Sequence, residues 1–252
     1  MNTPSSTVEP YVLRVDAAGV STLTLNRGSQ FNALSIAADP ALRVVVIAGA
    51  GKAFCAGHDL KEMRANHDQA FLQELFRSCG RMMMSLTRMP QPVIARVHGI
   101  ATAAGCQLVS MCDLAVAADS ARFATSGINV GLFCATPAVG LARNLGRKQA
   151  LEMLLTGDSI DAQAALQQGL VNRVVASNAL DAEVELLARA ILAKSSIAIG
   201  MGKQMFYRQL EMGLEAAYQY ASEVMACNMM TEDAGEGIDA FIGKRQVVWK
   251  GR

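Results

Sequence analysis

The sequence predicts an α/β fold in which most strands pair in parallel and the last part of the chain is helical. Short apolar runs alternate with helix-like segments through the first half, and Gly, Pro and Asn turns separate them. From Arg147 onward the periodicity is almost entirely helical. With 252 residues, 52% of them hydrophobic and 18% charged, the chain can bury a large core. Strands that alternate with helices favour a mostly parallel sheet covered by helices.

The individual elements follow from the same patterns, taken in chain order. Apolar runs predict strands at Tyr11–Val15, Val20–Leu25, Val44–Ala48, Val93–Val97, Leu114–Ala117 and Asn172–Val175. Helical periodicity predicts helices at Asp68–Thr87, Cys106–Met111, Lys148–Leu155, Asp161–Gly169, Leu180–Ala193, Ala198–Leu210, Leu214–Met230 and Glu236–Ile242. Asp161 and Gly169 are residue types that favour a helix N-cap and C-cap. We divide the chain into a core at residues 1–195 and a C-terminal helical oligomerisation region at residues 196–252.

Composition excludes several classes of function. A net charge of +1 argues against a broad basic surface for nucleic acid, and no run of about 18 apolar residues predicts a membrane span. The six cysteines are scattered without the spacing of metal ligands, so we expect reduced packing residues and no metal site. The first ten residues, MNTPSSTVEP, lack an apolar or Arg-rich targeting pattern. These observations predict a cytoplasmic protein.

The most informative stretch is His98–Asp113, HGIATAAGCQLVSMCD. The strand Val93–Val97 leads into a predicted small-residue turn at Ala101–Gly105, and the apolar helical run Cys106–Met111 follows. Small residues let a ligand approach the backbone, and a helix N-terminus directs free N–H groups at it. This stretch is therefore predicted to hold an anion or a developing oxyanion.

A second stretch with similar properties is Ala53–Met63, AFCAGHDLKEM, just after the strand Val44–Ala48. Gly57 favours a turn of close approach, and Asp59 can cap the helix that follows, which would leave the amide of His58 directed into a cleft. An ordinary strand–turn–helix joint is the alternative. The His58 side chain is either a general base or an oriented packing residue. Two N–H donors from separate loops that point at one atom make an oxyanion hole, and losing one costs about 2.7–4 kcal/mol of transition-state stabilisation.

These two stretches and four further motifs resemble the crotonase (enoyl-CoA hydratase/isomerase) superfamily. The further motifs occur in order and are LNRGSQFNALS (25–35), DLAVAADSARFATSGINVGL (113–132), ALEMLLTGDSIDAQAALQQGLVNRVV (150–175) and EGIDAFIGKR (236–245). The resemblance is greatest to the enoyl-CoA hydratase domain-containing branch and covers nearly the whole chain. It implies a crotonase-like spiral of βα turns, a C-terminal helical trimerisation region giving a homo-trimer or a dimer of trimers, and an acyl-CoA thioester as substrate, with no cofactor beyond that coenzyme A.

The resemblance also implies which residues contact the substrate. The thioester carbonyl would accept hydrogen bonds from the backbone N–H groups of His58 and Ala104. Substrate-binding residues carried over from the family pattern are Ala56, His58, Asp59, Leu60, Lys61, Ala104, Phe241 and Lys250. In the family, the positions of Phe241 and Lys250 lie near the adenine and phosphates, often those of an adjacent subunit. A solvated basic tail is the alternative for this C-terminal segment.

The chemistry departs from the family pattern at two positions. Hydratases of this family use two glutamates, which belong at Gln107 and Gly127 of this chain. Glutamine can hold a water through its amide but cannot take up a proton, and glycine supplies no group at all. General acid–base catalysis contributes about 10²–10⁴-fold, so we expect poor ordinary hydratase turnover. Cys134 is a candidate weak acid or nucleophile, and a buried packing thiol is the alternative.

One connection is shorter than the family pattern. A crossover between parallel strands usually contains a helix, and the family has one after the NALS motif. Here a helix-length stretch is missing between Ser35 and Ala37. Either the helix is deleted or the sequence lacks a segment, and Ala38-Asp39-Pro40, which is typical of the end of that helix, favours a missing segment.

The sequence thus predicts an acyl-CoA-processing enzyme of the enoyl-CoA hydratase/isomerase family, a lyase or isomerase. It would stabilise a thioester enolate in a backbone oxyanion hole. The alternative is a non-catalytic acyl-CoA-binding or regulatory protein that kept the cleft without the acids.

Overall fold

The computed structural model describes residues 12–25 and 42–252 as a mixed α/β fold. The strands in this part of the chain are β1 (Val12–Ala17), β2 (Val20–Leu25), β3 (Val44–Gly49), β4 (Ala53–Cys55), β5 (Val93–Val97), β6 (Ile100–Thr102), β7 (Leu114–Ala118), β8 (Arg122–Ala124), β9 (Ile160–Asp161) and β10 (Arg173–Val175). The helices are α1 (Leu60–Ala65), α2 (Gln69–Arg88), α3 (Ala104–Met111), α4 (Ala135–Leu141), α5 (Arg147–Thr156), α6 (Ala162–Gln168), α7 (Leu180–Leu192), α8 (Ser196–Gln209), α9 (Leu214–Met229) and α10 (Glu232–Ile242). Short 3₁₀ turns lie at Ser126–Val130 and Ser177–Ala179.

A large sheet with strand order β1-β2-β3-β5-β7-β10 carries the core. β1 pairs with β2 antiparallel, and the pairs from β2 to β10 are parallel. Successive residues of a strand point to opposite faces, so Val45 and Ile47 pack with α2 and α3, whereas Val44 and Val46 pack with α7. Helices on both faces explain why β3 is a continuous apolar run without alternation. β5 follows the same pattern except at Arg96, which pairs with Asp181 of α7.

A second, smaller sheet with order β4-β6-β8-β9 positions the candidate site. Its first three strands pair in parallel, and each follows a strand of the large sheet after a short turn: β4 after β3, β6 after β5, and β8 after β7. The repeating unit is therefore a long strand, a short strand and a helical segment. Because the short strands are parallel neighbours, the loops at their carboxyl ends meet at one edge of the sheet.

The sequence patterns predicted the strands of the large sheet and did not predict the small sheet. β2 and β5 have the predicted bounds, and Asp161 and Gly169 cap α6 as expected. The predicted turn at Ala101–Gly105 is wrong, because Ile100–Thr102 forms β6 and α3 already begins at Ala104. Strands of two or three residues bury too few side chains to leave a periodic pattern, so β4, β6, β8 and β9 could not be found this way.

The C-terminal helices dock on the core through a buried polar cluster. Lys203 of α8 donates hydrogen bonds to the Asp113 carboxylate at 2.6 Å and to the carbonyls of Leu86 and Gln91, both at 2.7 Å. The hydroxyl of Tyr207 donates to the same carboxylate at 2.8 Å. Burial lowers the pKa of Lys203, and the neighbouring Asp113 opposes that shift. The division at residue 195 coincides with the start of α8 and stays a prediction.

Some predictions concern absences or fall outside the described residues. The short connection after Leu25 lies within residues 26–41, which are not described, so the missing stretch near Ser35 stays a prediction. In residues 12–25 and 42–252 no helix is long and apolar enough to cross a membrane, and no cluster of potential metal ligands occurs. All six cysteines are free thiols.

Candidate functional site

A cavity of about 400 Å³ lies where the loops after β4, β6 and β8 meet. Its lining comes from Ala56 and His58 after β4, from Leu60, Met63 and Phe76 of α1 and α2, from Ala103 and Ala104 after β6, and from Ser126, Gly127 and residues 130–137 after β8. The wall is largely apolar, which suits a ligand with a hydrocarbon portion.

Two glycines bring the first two loops into direct contact. A Cβ at Gly57 would lie 3.0 Å from the Cβ of Ala103 and 3.1 Å from the backbone nitrogen of Ala104, and Gly57 has a φ of +92°. A Cβ at Gly105 would lie only 1.9 Å from the carbonyl oxygen of Cys55. Glycine is required at both positions by space, and at Gly57 also by backbone conformation. The loop that carries His58 therefore packs directly on the first turn of α3.

Each of these two loops presents a free backbone amide. Within the described residues, the N–H groups of His58 and Ala104 donate no hydrogen bond. Ala104 is the first residue of α3, where an N–H has no partner inside the helix. The Asp59 carboxylate caps α1 by accepting from the amides of Lys61 and Glu62, which leaves the His58 amide unused. Both donors belong to residues that line the cavity.

Ala103, between β6 and α3, holds an unusual backbone conformation. Its φ is +50° and its ψ is −121°, a region in which residues other than glycine are rare. Such a conformation costs about 1–3 kcal/mol and persists only when the surroundings impose it. The Ala103 amide is fixed by a hydrogen bond to the Ala124 carbonyl at 3.0 Å, which ties this loop to β8.

The side chain of His58 packs on an aromatic ring. It meets Phe76 edge to face, with ring centroids 5.5 Å apart. Burial lowers the pKa of His58, and Glu62 acts in the opposite direction. The imidazole is therefore neutral at pH 7 and has an acceptor nitrogen. A role as general base and a role as a packing residue both remain open.

Gln107 lies one helical turn after Ala104 and is only 4% exposed. Its Oε1 is fully buried and has no hydrogen-bond partner within the described residues. A buried polar atom without a partner costs roughly 1–3 kcal/mol. Gln107 is not among the described residues that line the cavity, so its predicted role at the site stays a prediction.

Gly127 is enclosed by the turn that follows it. A Cβ at this position would lie 2.6 Å from the Leu132 carbonyl oxygen and 2.8 Å from Cys134 Sγ. The turn is closed by a 2.9 Å hydrogen bond from the Leu132 amide to the Gly127 carbonyl, with Gly131 at a φ of +79°. The space into which a side chain at residue 127 would project is therefore already filled.

Cys134 is the cysteine that reaches the cavity. It is 9% exposed and directly precedes α4. Cys106 lies deeper, where burial raises its pKa to about 12 with a smaller contribution from the nearby Cys134. The structure thus places the thiol of Cys134 beside the second of the two positions at which the family pattern expects a glutamate.

The other predicted site residues divide into two groups. Ala56, Leu60 and Ala104 line the cavity together with His58, whereas the Asp59 side chain is committed to capping α1. Phe241 lines a separate groove between α8, α9, α10 and Trp249, and Lys250 Nζ pairs with Glu232 at 3.1 Å. Within one subunit these two residues do not join the cavity. Their contact with coenzyme A stays a prediction, as does that of Lys61.

Sequence reasoning missed several lining residues. Met63 and Phe76 lie on helices, where an apolar residue is normally predicted to pack in the core. Leu132 and Phe133 lie in a turn, which has no regular hydrophobic pattern. The methionines of α2 do not line the cavity: Met83 is buried in the core, Met82 packs against the core, and Met84 is exposed. A periodic pattern identifies a buried face without saying which part of that face borders a cavity.

Residues 16–252 match the family model described as enoyl-CoA hydratase/isomerase, and the chain belongs to this family. Its fold is the crotonase fold, with parallel sheets and a helical C-terminal region. This result confirms the family and the fold that the sequence motifs predicted.

Relatives and solved structures agree with this assignment. The enoyl-CoA hydratase domain-containing protein 3, mitochondrial, of Xenopus laevis is 46% identical over 95% of this chain and 86% of its own length. The crystal structure of the human enoyl-CoA hydratase domain-containing protein 3 matches with a TM-score of 0.91 and 42% identity, covering 95% of this chain and all of that one. An enoyl-CoA hydratase of Mycobacterium smegmatis matches with a TM-score of 0.93 and 55% identity, covering 96% and 99%.

The prediction of a cytoplasmic protein is wrong by the same comparison. The similar proteins of Xenopus laevis and Homo sapiens are both named mitochondrial. The prediction rested on unpaired cysteines and on the composition of ten residues. Free thiols indicate a reducing environment, and they do not identify the compartment.

Proposed function

We propose that this chain binds an acyl-CoA thioester in the cavity and stabilises the enolate form of that thioester, as a lyase or isomerase of its family. The observation that carries this proposal is the pair of unused amides, those of His58 and Ala104, on two loops in contact. A thioester carbonyl oxygen can accept from both donors, and its negative charge in the enolate strengthens both bonds. Each donor contributes about 2.7–4 kcal/mol in comparable oxyanion holes.

The groups around the cavity restrict the chemistry. Among the described lining residues, the titratable side chains are His58 and Cys134, and none is a carboxylate. Gln107 lies behind the described lining, and its neutral amide could not remove a proton from a water in any case. Hydration by a pair of glutamates is therefore excluded at these positions, and we expect slow turnover of simple 2-enoyl thioesters.

The absence of a carboxylate from the described lining favours one second candidate, a non-catalytic acyl-CoA-binding protein. Such a protein would use the same amides for the carbonyl and the same apolar wall for the acyl group. It would differ only in releasing its ligand unchanged.

Calorimetry with butyryl-CoA and a hydration assay with crotonyl-CoA separate these candidates. Binding with turnover of any thioester supports the enzyme, binding without turnover supports the second candidate, and no binding refutes both. Gly57→Ala tests the role of the amides, because the added methyl must push the loop of His58 away from Ala104. Gly19→Ala is the matched control, since Gly19 has a similar φ of +78° in the turn between β1 and β2, far from the cavity in sequence. We expect weaker binding in Gly57→Ala alone, and equal binding by both variants contradicts the role of the amides.

We propose a homo-trimer or a dimer of trimers as the assembly. The C-terminal helices expose large apolar side chains, among them Leu214 at 76%, Met230 at 86% and Phe241 at 86%. Several large exposed apolar side chains on one set of helices are typical of subunit interfaces. Sedimentation is expected to show a trimer or hexamer at micromolar concentration, and a monomer would contradict the proposal.

A further inference from the structure

The loop after β6, which carries Ala103 and Ala104, is tied to the loop after β8 by two hydrogen bonds. The Ala103 amide donates to the Ala124 carbonyl at 3.0 Å. The hydroxyl oxygens of Thr102 and Ser126 lie 2.9 Å apart, and either hydroxyl can be the donor. Ser126 lies two residues beyond Ala124, the last residue of β8 that pairs with β6. The two side chains therefore extend the contact between the loops past the end of the paired strands.

The direction of the Ala104 amide depends on the backbone of Ala103. The Ala103 carbonyl and the Ala104 N–H belong to one planar peptide unit, so they point in opposite directions. That carbonyl accepts from the Gln107 amide at 3.0 Å at the start of α3. The φ of +50° at Ala103 sets the angle at which this peptide unit follows β6. A shift of Ala103 towards a common conformation would therefore turn the Ala104 N–H away from its present direction.

The conformation of Ala103 is costly, so the surroundings must hold it in place. A hydrogen bond between two neutral groups contributes a net stabilisation of the same order as that cost. Neither hydroxyl of Thr102 and Ser126 has another partner within the described residues, so substitution of either one removes this bond alone. Loss of the bond takes away a stabilisation comparable to the strain that it opposes. Ser126 lines the cavity and Thr102 lies behind the described lining, so the bond reaches from the sheet to the cavity wall.

We propose that Thr102 and Ser126 are positioning residues, whose paired hydroxyls hold Ala103 in its strained conformation and so direct the Ala104 amide at the thioester carbonyl. This inference rests on the proposed function, since the amide needs a carbonyl oxygen as its acceptor. It goes further because it assigns part of the recognition of that carbonyl to two side chains that act through the backbone. Loss of the pair weakens the hydrogen bond from Ala104 and leaves the contacts of the hydrocarbon and coenzyme A portions unchanged.

The test compares two ligands that differ only at the carbonyl. Butyryl-CoA has this group, whereas S-butyl-CoA, a thioether with a chain of the same length, has a methylene group in its place. Calorimetry of both ligands with the whole chain gives the ratio of their affinities, which we call the carbonyl preference. Thr102→Val removes one hydroxyl with little change in size, and it should lower the carbonyl preference about two- to tenfold, the range of one neutral hydrogen bond. The affinity for S-butyl-CoA should stay unchanged.

Further variants separate the hydroxyl pair from a general loosening of the loops. Thr102→Ser keeps a hydroxyl and should keep the carbonyl preference. Ser126→Ala should lower it as Thr102→Val does, and the double variant should lower it no further, because both changes remove one bond. Thr125→Val is the matched control, since it removes the 2.8 Å hydrogen bond from Thr125 Oγ1 to the Met153 carbonyl and lies outside the described lining. It should lower the free energy of unfolding in urea and leave the carbonyl preference unchanged.

The outcomes distinguish this inference from the proposed function. If the unaltered protein binds neither ligand, or binds both equally well, the carbonyl is not recognised and the proposed function itself fails. If it prefers butyryl-CoA, and Thr102→Val and Ser126→Ala keep that preference, the inference is overturned and the proposed function stands. An equal loss of preference in Thr125→Val also overturns the inference, because any loosening of the loop would then suffice. If Thr102→Val does not fold, Ser126→Ala, at the cavity surface, decides the question.

Discussion

Replacing Gly105 by alanine tests how closely the two loops of the candidate site are packed. Gly105 is the second residue of α3, and an added Cβ would lie 1.9 Å from the Cys55 carbonyl oxygen and 2.6 Å from its carbonyl carbon. Ordinary contact between non-bonded heavy atoms is about 3.5–4.0 Å, so the end of β4 would have to retreat by roughly 1.5 Å. β4 is held by its pairing with β6, and this movement would also separate the loop of His58 from Ala104.

The expected magnitude is the difference between two effects. Alanine in place of glycine favours a helix by up to about 1 kcal/mol. Overpacking a rigid contact costs typically about 1–3 kcal/mol and sometimes more, and the contact here is with backbone that cannot rotate away. Taking the cost at the upper end of its range, about 3 kcal/mol, and subtracting the gain of about 1 kcal/mol, we expect Gly105→Ala to lower the free energy of unfolding by about 2 kcal/mol. Gly202→Ala on α8 is the matched control, because a Cβ there meets nothing within 4 Å, and it should raise the free energy by about 0.5–1 kcal/mol.

The assay is urea unfolding followed by circular dichroism, at one fixed protein concentration because oligomers unfold in a concentration-dependent way. Butyryl-CoA affinity is measured on the same samples. The reasoning is refuted if Gly105→Ala stays within about 0.5 kcal/mol of the unaltered protein while Gly202→Ala gains stability. It is also refuted if Gly105→Ala is destabilised by the expected amount and yet binds the ligand with unchanged affinity.

Three further predictions follow from the same structure. Gly127→Ala should lower the free energy of urea unfolding by about 1–3 kcal/mol, because the methyl meets the turn after it, and an unchanged value would contradict the close contact. Burial lowers the pKa of His58 below its unfolded value of 6.5, so the unfolded chain binds more protons than the folded chain at mildly acidic pH. The free energy of unfolding should therefore fall as the pH drops from about 7 towards the folded pKa. His58→Gln should reduce this pH dependence, and an unaltered dependence would exclude His58 as its source. Lys203→Met should lower the free energy of unfolding by about 3–5 kcal/mol, because it leaves the Asp113 carboxylate without its buried cation. Lys148→Met, at an exposed position, is the control and should leave the free energy of unfolding unchanged. Equal losses in the two variants would contradict this account.

The strands whose bounds the sequence predicted correctly are those with one regular burial pattern along their whole length. β2 alternates between buried and half-buried residues, and β5 is buried on both faces except at Arg96, so the bounds of both were predicted correctly. The short strands of the second sheet depend on neighbours that are distant in the chain. β6, for example, exists because it lies between β4 and β8, and three residues cannot encode that arrangement by themselves.

The candidate site likewise contains features that a local sequence pattern predicts and features that depend on residues distant in the chain. Gly57 could be identified in advance because a glycine in a turn before a helix has a local physical meaning. Gly105 was expected in a turn, and the structure instead places it as the second residue of α3, where it contacts β4. The enclosure of Gly127 could not, since it depends on how residues 131–134 fold back after a left-handed residue at Gly131. The predicted contacts of Phe241 and Lys250 with coenzyme A lie away from the cavity in this chain and stay predictions.

The two departures from the hydratase pattern differ in physical kind. At Gln107 the side chain is buried and its Oε1 has no partner within the described residues, so a glutamate of nearly the same size has space there but would be an unpaired buried carboxylate. At Gly127 a side chain has no space, because the Leu132 carbonyl and the Cys134 thiol fill it. An acidic residue at 127 therefore requires the turn from Gly131 to Cys134 to move as well. For this reason a substitution at Gly127 alone is not expected to bring a carboxylate into the cavity without disturbing that turn.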